Sequence, residues 1–358
     1  MKTFDWYIIR KFLGTFFYSM LLLVLVIIVI DFVEKNDDYI EKKVSYFSVI
    51  YDYYFNFAPY IANILSPITI FIAVVFVTSK LAFHSEIIAI LSSGMSYNRL
   101  LFPFLLSSGV ISIFTFYLMG WVIPEANKKR IAFEIAYIKN PYRYSNRDIH
   151  LKIGPETYIY MESYNNMENV GYKFSMEHIV KNRLIKKLMA PRVFWDTDKK
   201  CWTIEQFEIR KFEGMKEKIT NGKTLDTVIN LNPTEFSSNW QKEETMKSPE
   251  LTEFIHTQQA RGKGNLEPYI VKKYQRFTYP FATIILTLIG VVMSSRKSRG
   301  GIGLQVAIGF LLAFMYILFV IMSSTIATNG SVPPLLAVWL PNIIFSFIGF
   351  ALLWFMPK

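Results

Sequence analysis

The chain has 358 residues, 52% of them hydrophobic and 16% aromatic, with a formal charge of +11. That length suits one large or two small domains, but the apolar residues are gathered in six blocks instead of being spread as one soluble core requires. The basic balance does not signal nucleic acid, because no recognition motif accompanies it, and membrane orientation plus anionic lipid accounts for it.

In chain order, apolar spans occupy 12–33, 57–79 and 100–123, and after a long polar stretch they return at 269–293, 302–327 and 333–356. Each approaches or exceeds the ~20 residues that carry a helix across a bilayer core. Trp6, Tyr7, Trp121, Tyr279 and Trp354 stand near span ends, where amphipathic rings suit the headgroup zone. The first span is too long for a cleavable signal and no small-residue cleavage pattern follows it, so it is expected to be an anchor.

Orientation follows from the short connections. Lys2, Arg10, Lys11, Lys80, Arg99, Arg296, Lys297, Arg299 and Lys358 lie on one side against Asp5 and Glu86. The opposite loop, 34–43, mixes Glu34, Asp37, Asp38 and Glu41 with Lys35, Lys42 and Lys43. The positive-inside rule then predicts cytoplasmic termini, cytoplasmic loops at 80–99 and 294–301, and a middle domain outside.

From 148 to 231 the pattern changes to short alternating runs such as Tyr158-Ile159-Tyr160-Met161 and Trp202-Thr203-Ile204-Glu205-Gln206-Phe207. Turn signals at Gly154-Pro155, Asn165-Asn166, Asp196-Thr197-Asp198 and Asn221-Gly222 separate them, the last reading as a hairpin turn. An antiparallel sandwich or roll is predicted, flanked by helices at 124–138 and 249–261. The fold class is thus membrane α-helical, with six transmembrane helices (3+3) and an inserted antiparallel β-jellyroll-like domain. The expected divisions are 1–139, 140–265 and 266–358. The single cysteine, Cys201, makes no intrachain disulfide, so the β domain must be stable through its own core.

Little here carries chemistry. Gly222-Lys223-Thr224 superficially resembles the end of a P-loop, but Glu217 stands where the loop's first glycine is needed. His84, His150, His178 and His256 show no ligand spacing, and Ser93-Gly94 lacks a nucleophile-elbow context. No catalytic, metal or cofactor site is predicted. Apart from Lys272, Lys273 and Arg276 at the start of span four, spans two to six carry essentially no ionisable residue, and Asp31 lies near the outer end of span one, which disfavours an ion-coupled carrier.

The stretch at about 80–97 has helix-compatible apolar positions at Leu81, Phe83, Ile87, Ile88, Ile90 and Leu91, with Gly94 as a stop signal. Such a helix either docks in a groove of a soluble partner or lies on lipid. Glu86 is suited to pairing with an arginine across an interface.

This stretch resembles the coupling helix of the lipopolysaccharide-export permeases, the LptF/LptG (YjgP/YjgQ) family. The resemblance extends over nearly the whole chain, through Trp121-Val122-Ile123-Pro124, Asn230-Leu231-Asn232-Pro233, Met246-Lys247-Ser248-Pro249-Glu250-Leu251, Arg276-Phe277-Thr278-Tyr279-Pro280-Phe281-Ala282 and Trp339-Leu340-Pro341-Asn342. It implies a non-catalytic permease of an ABC transporter that takes lipopolysaccharide from the inner membrane. The implied partners are a cytoplasmic ABC ATPase dimer, a second LptF/LptG-type permease and a single-span periplasmic bridge protein. It also implies that Glu86 transmits ATPase closure to the spans, with Ile87, Ile88 and Leu91 filling the partner's groove and Gly94 ending the helix.

Lipid phosphates need basic residues at a cavity rim. The candidates are Lys35, Lys42, Lys43, Lys272, Lys273 and Arg276. The chain departs from familiar family members at the outer end of span one, where Asp31, Asp37 and Asp38 stand and lysines are usual. Two other readings are weighed. A permease for another envelope lipid or lipoprotein typically has a four-span layout, which conflicts with 3+3. A membrane-anchored envelope-binding protein needs no docking helix.

Overall fold

A computed structural model describes residues 3–139, 144–214, 216–236, 241–260, 266–296 and 301–355. Lys2, Lys297, Arg299 and Lys358, which entered the orientation argument, lie outside the described residues, as does position 261 at the expected end of the second flanking helix. The chain forms two compact units, one of Met1–Ile138, Glu243–Leu251 and Glu267–Lys358, the other of Lys139–Lys242 and Thr252–Leu266.

In the first unit six helices among the described residues are long and apolar enough to cross a membrane: Thr3–Glu41 (α1), Tyr46–Phe83 (α2), Tyr97–Tyr137 (α4), Glu267–Ser294 (α7), Gly301–Thr328 (α8) and Pro334–Trp354 (α9). A short helix, Glu86–Ser92 (α3), separates α2 from α4. Two more, Lys242–Thr245 (α5) and Ser248–Ala260 (α6), precede α7. At 39 residues α1 is about 58 Å long, well beyond the ~30 Å hydrocarbon core. The helices α2 and α4 are of similar length, and both contain a π-helical stretch, Val49–Tyr54 and Leu118–Val122. The helix expected at 124–138 is therefore the continuation of span three.

The bundle core gathers Ile8, Phe12, Phe71, Val74, Leu100, Phe104, Leu286, Ile289 and Tyr316 from five spans. Lipid tails are as apolar as these side chains, so close packing and internal hydrogen bonds must hold the helices together. At Gly290 a β-carbon would lie 2.2 Å from Val74 Cγ1, so only glycine lets α7 and α2 approach this far. Asn342 on α9 bridges three helices, accepting from Tyr316 Oη at 2.8 Å and donating to the Thr278 carbonyl at 2.8 Å.

The second unit is an antiparallel sheet of seven strands: Ile149–Lys152 (β1), Thr157–Met161 (β2), Ser163–Asn165 (β3), Val170–Val180 (β4), Arg183–Asp196 (β5), Cys201–Glu213 (β6) and Lys216–Thr227 (β7). Their order is β1-β2-β4-β5-β6-β7, with β3 also paired to β4. Ile159, Met161, Tyr164, Phe174, Leu188, Val193, Trp202 and Ile204 form one buried cluster with Ile229, Leu231 and Phe236, the alternation of β5 shifting by one residue between Ala190 and Val193. Trp202 Nε1 donates to the Leu231 carbonyl at 2.8 Å, so the largest core ring leaves no donor unpaired.

Lys181 and Asn182, both at positive φ (47° and 61°), make the two-residue turn between β4 and β5. The expected hairpin turn at Asn221-Gly222 is not one. These residues lie inside β7, opposite Glu208 and Phe207, and the turn falls earlier, with Gly214 at φ +66°. The reason is steric: a β-carbon at Gly222 would lie 2.3 Å from Phe207 Cζ, so the glycine makes room for a ring.

Candidate functional site

Two polar constructions stand at opposite ends of the membrane bundle. The first surrounds α3. The ladder of α2 runs through His84, whose N–H bonds the Lys80 carbonyl at 3.1 Å, and Ser85 then turns left-handed at φ 61°. That turn starts a new helix at Glu86, and Gly94, at φ +86°, ends it. The Gly94 N–H bonds the Leu91 carbonyl at 3.1 Å, closing the C-terminus. The helix is shorter than the expected 80–97, because Leu81 and Phe83 belong to the last turn of α2.

The three apolar residues assigned to a partner's groove divide. Ile87 is 2% exposed and packs in the bundle core, so it holds α3 down and is not available to a partner. Ile88 and Leu91 face outward, at 58% and 37% exposed. Glu86 accepts a hydrogen bond of 3.1 Å from the Tyr7 hydroxyl, to which Lys11 also donates. Nearby, Arg99 at the start of α4 grips Asp5 on α1 with two parallel bonds of 2.6 and 2.7 Å. Asp5 is 1% exposed, and the guanidinium fork is the geometry that makes such burial tolerable.

The second construction is a chain of alternating charges. Asp31 bonds Lys35 at 2.7 Å, and Lys35 lies 4.0 Å from Glu134. Glu134 meets Arg130 at 3.4 Å, Arg130 reaches Glu244 at 3.8 Å, and Glu244 bonds Lys272 at 2.9 Å. Tyrosine hydroxyls reinforce it, Tyr53 donating to Glu134 at 3.1 Å and Tyr54 to Asp31 at 3.0 Å. The ladder thus links α1, α4, α5 and α7, with Arg130 and Glu134 both buried. Arg276, one turn beyond Lys272, is 2% exposed and donates to Ser248 Oγ and to the carbonyls of Met246 and Glu243. A cavity of about 180 Å³ lies beside it, lined by Tyr60, Asn63, Asn127, Glu244, Lys272 and Arg276 among others.

Of the six basic residues proposed for lipid phosphate, Lys35 and Lys272 are therefore neutralised by carboxylates and Arg276 is committed to the segment 243–248. Lys42 and Lys43 are exposed and Lys273 is half-buried. Among the described residues no acidic side chain pairs with these last three. Arg130, Glu134 and Glu244 were not singled out from the sequence. The first two could have been found as an i, i+4 pair just beyond span three. Glu244 had no local signal, since Asn127 and Arg130 lie more than a hundred residues before it and Lys272 lies 28 after it. Among the described residues no cluster of His, Cys, Asp and Glu could hold a metal ion.

Two triplets of membrane helices with an antiparallel β unit inserted between them define a multi-pass membrane permease. The family model described as lipopolysaccharide export system permease LptF/LptG matches residues 6–355, nearly the entire chain. The protein belongs to this family of inner-membrane transport permeases, which is not a catalytic one. No individual curated protein matches the chain at a significant level.

Proposed function

We propose that the chain is one permease of an ABC transporter that extracts lipopolysaccharide from the inner membrane and hands it to a periplasmic bridge. The energy comes from a separate cytoplasmic ATPase dimer, which α3 contacts through Glu86, Ile88 and Leu91. The observation that carries this reading is a family match along the whole chain together with α3, a short helix that presents an acid and two exposed apolar residues at one end of the bundle. Both termini and α3 are cytoplasmic and the β unit is periplasmic, as the basic short loops require.

A second LptF/LptG-type permease completes the cavity. In support, only 17% of the apolar stretch of α1 and 22% of that of α8 is buried within the chain, against 61% for α7. These two spans present the apolar surface for a partner helix or lipid. Lys42, Lys43 and Lys273 meet lipid phosphate first, because among the described residues no carboxylate neutralises them. Lys35 and Lys272 contribute only by exchanging Asp31 and Glu244 for phosphate.

Purification of the complex from membranes, with mass spectrometry of proteins and bound lipid, is expected to recover an ATPase, a second permease and lipopolysaccharide. Glu86→Ala is expected to lower lipid-stimulated ATP hydrolysis by about tenfold, the scale of a lost charged contact. Recovery of no ATPase, or unchanged coupling in Glu86→Ala, counts against the proposal.

A further inference from the structure

We infer that Tyr7 is a positioning residue for Glu86, and that through it the first turns of span one form part of the device that passes force from α3 to the membrane. The inference rests on the coupling role proposed for α3, and deepens it.

Backbone connections alone would join α3 to α2 through Ser85 and to α4 through Gly94. Side chains add a third connection. Tyr7 donates to the Glu86 carboxylate at 3.1 Å while Lys11, one turn further along α1, donates to the same hydroxyl. A hydroxyl held between an ammonium and a carboxylate is polarised by both, so each bond strengthens the other. Two residues before Tyr7, Asp5 is held by Arg99 with bonds of 2.6 and 2.7 Å. The start of α1 is therefore fixed both to α3 and to the start of α4.

The helix so connected is the one whose apolar stretch is least buried in the chain, at 17%. The core-facing helices α2 and α7 cannot shift without repacking many neighbours. Beyond Ile8, Phe12 and Phe16, which lie in the bundle core, the apolar stretch of span one has few neighbours to repack and can shift against a partner or lipid. A displacement of Glu86 reaches it directly through the Tyr7 hydroxyl, beside the core contacts of Ile87 and Ile8.

The test uses the full complex in nanodiscs containing lipopolysaccharide, reading the ratio of lipid-stimulated to basal ATP hydrolysis. Tyr7→Phe keeps the ring and removes the hydroxyl. It is expected to lower that ratio about threefold to tenfold. In the Glu86→Ala background the same substitution is expected to add nothing, since its only route is through the carboxylate.

Losses that multiply in the double variant overturn the inference, because Tyr7 would then act elsewhere. Unchanged coupling in Tyr7→Phe beside a defective Glu86→Ala overturns it too, and leaves the role of α3 standing. Loss of the ATPase from purified Tyr7→Phe, but not from Glu86→Ala, assigns the tyrosine to assembly instead. An unaffected Glu86→Ala removes the coupling role itself, and the inference with it.

Discussion

Buried charge decides what single residues do here. Asp5 is 1% exposed and its carboxylate is satisfied by the fork of Arg99. Arg99→Met removes the guanidinium fork from a buried carboxylate and so lowers stability. Thermal unfolding of the purified protein should show that loss. The double variant Asp5→Asn, Arg99→Met should recover most of it, because no charge is then left unpaired. Asp226 on the β unit is an exposed contrast. Hydrogen bonds from Lys199 and Thr203 hold its carboxyl below the usual range. A depressed value means its contribution is full above the ordinary Asp value of about 3.9 and is lost as pH falls through the native one. Amide protection in the turn at 196–200, measured relative to intrinsic exchange at each pH, should therefore fall on acidification in the native chain, and lose that fall in Asp226→Asn. Glu86 was legible in the sequence as the acid of a basic face. Tyr7 was read only as an interfacial ring, because nothing local announces a partner 79 residues away.

Hydropathy is a one-dimensional property, so at the level of elements the six spans were legible from composition alone. Short elements were harder. A seven-residue helix such as α3 has barely two turns, and its apolar run Ile87-Ile88 does not reveal which residue faces the core. The structure buries the first and exposes the second. Asn221-Gly222 misled for a related reason: the pair suits a tight turn, but the residue opposite Gly222 in β6 is a phenylalanine, and cross-strand crowding decided the register. Gly222→Ala should accordingly destabilise the β unit by about 1–3 kcal/mol, the usual penalty for overpacking. Adding Phe207→Ala should relieve the clash, so the pair of substitutions should cost less than their sum. If Gly222→Ala costs nothing in denaturant unfolding, the close approach of ring and strand is wrong.

For the whole molecule, burial is unequal among the spans, and the two most apolar, α1 and α8, are the least buried. The helices α2 and α7 bring Val74 and Leu286 to full burial, whereas α1 and α8 leave side chains such as Val29 and Ile321 at 60% and 55% exposed. Hydropathy ranks the spans in this way, but a lipid-facing and a core-facing leucine within one span read alike, and only packing separates them. Gly290 seats α7 against α2, and the charge ladder anchors the far end of α1 to α4 while its middle stays uncovered. The half-cavity proposed above would expose its lining in this way to a second permease. The single cysteine makes the idea testable. In a Cys201→Ser background, cysteines placed at Val29 on α1 and Ile321 on α8 should crosslink to the second permease in native membranes. Cysteines at Val74 and Leu286 should not, because each is enclosed by its own chain. Crosslinks from neither α1 nor α8, with both permeases recovered together, would place the partner on another face and remove α1 and α8 from the cavity wall.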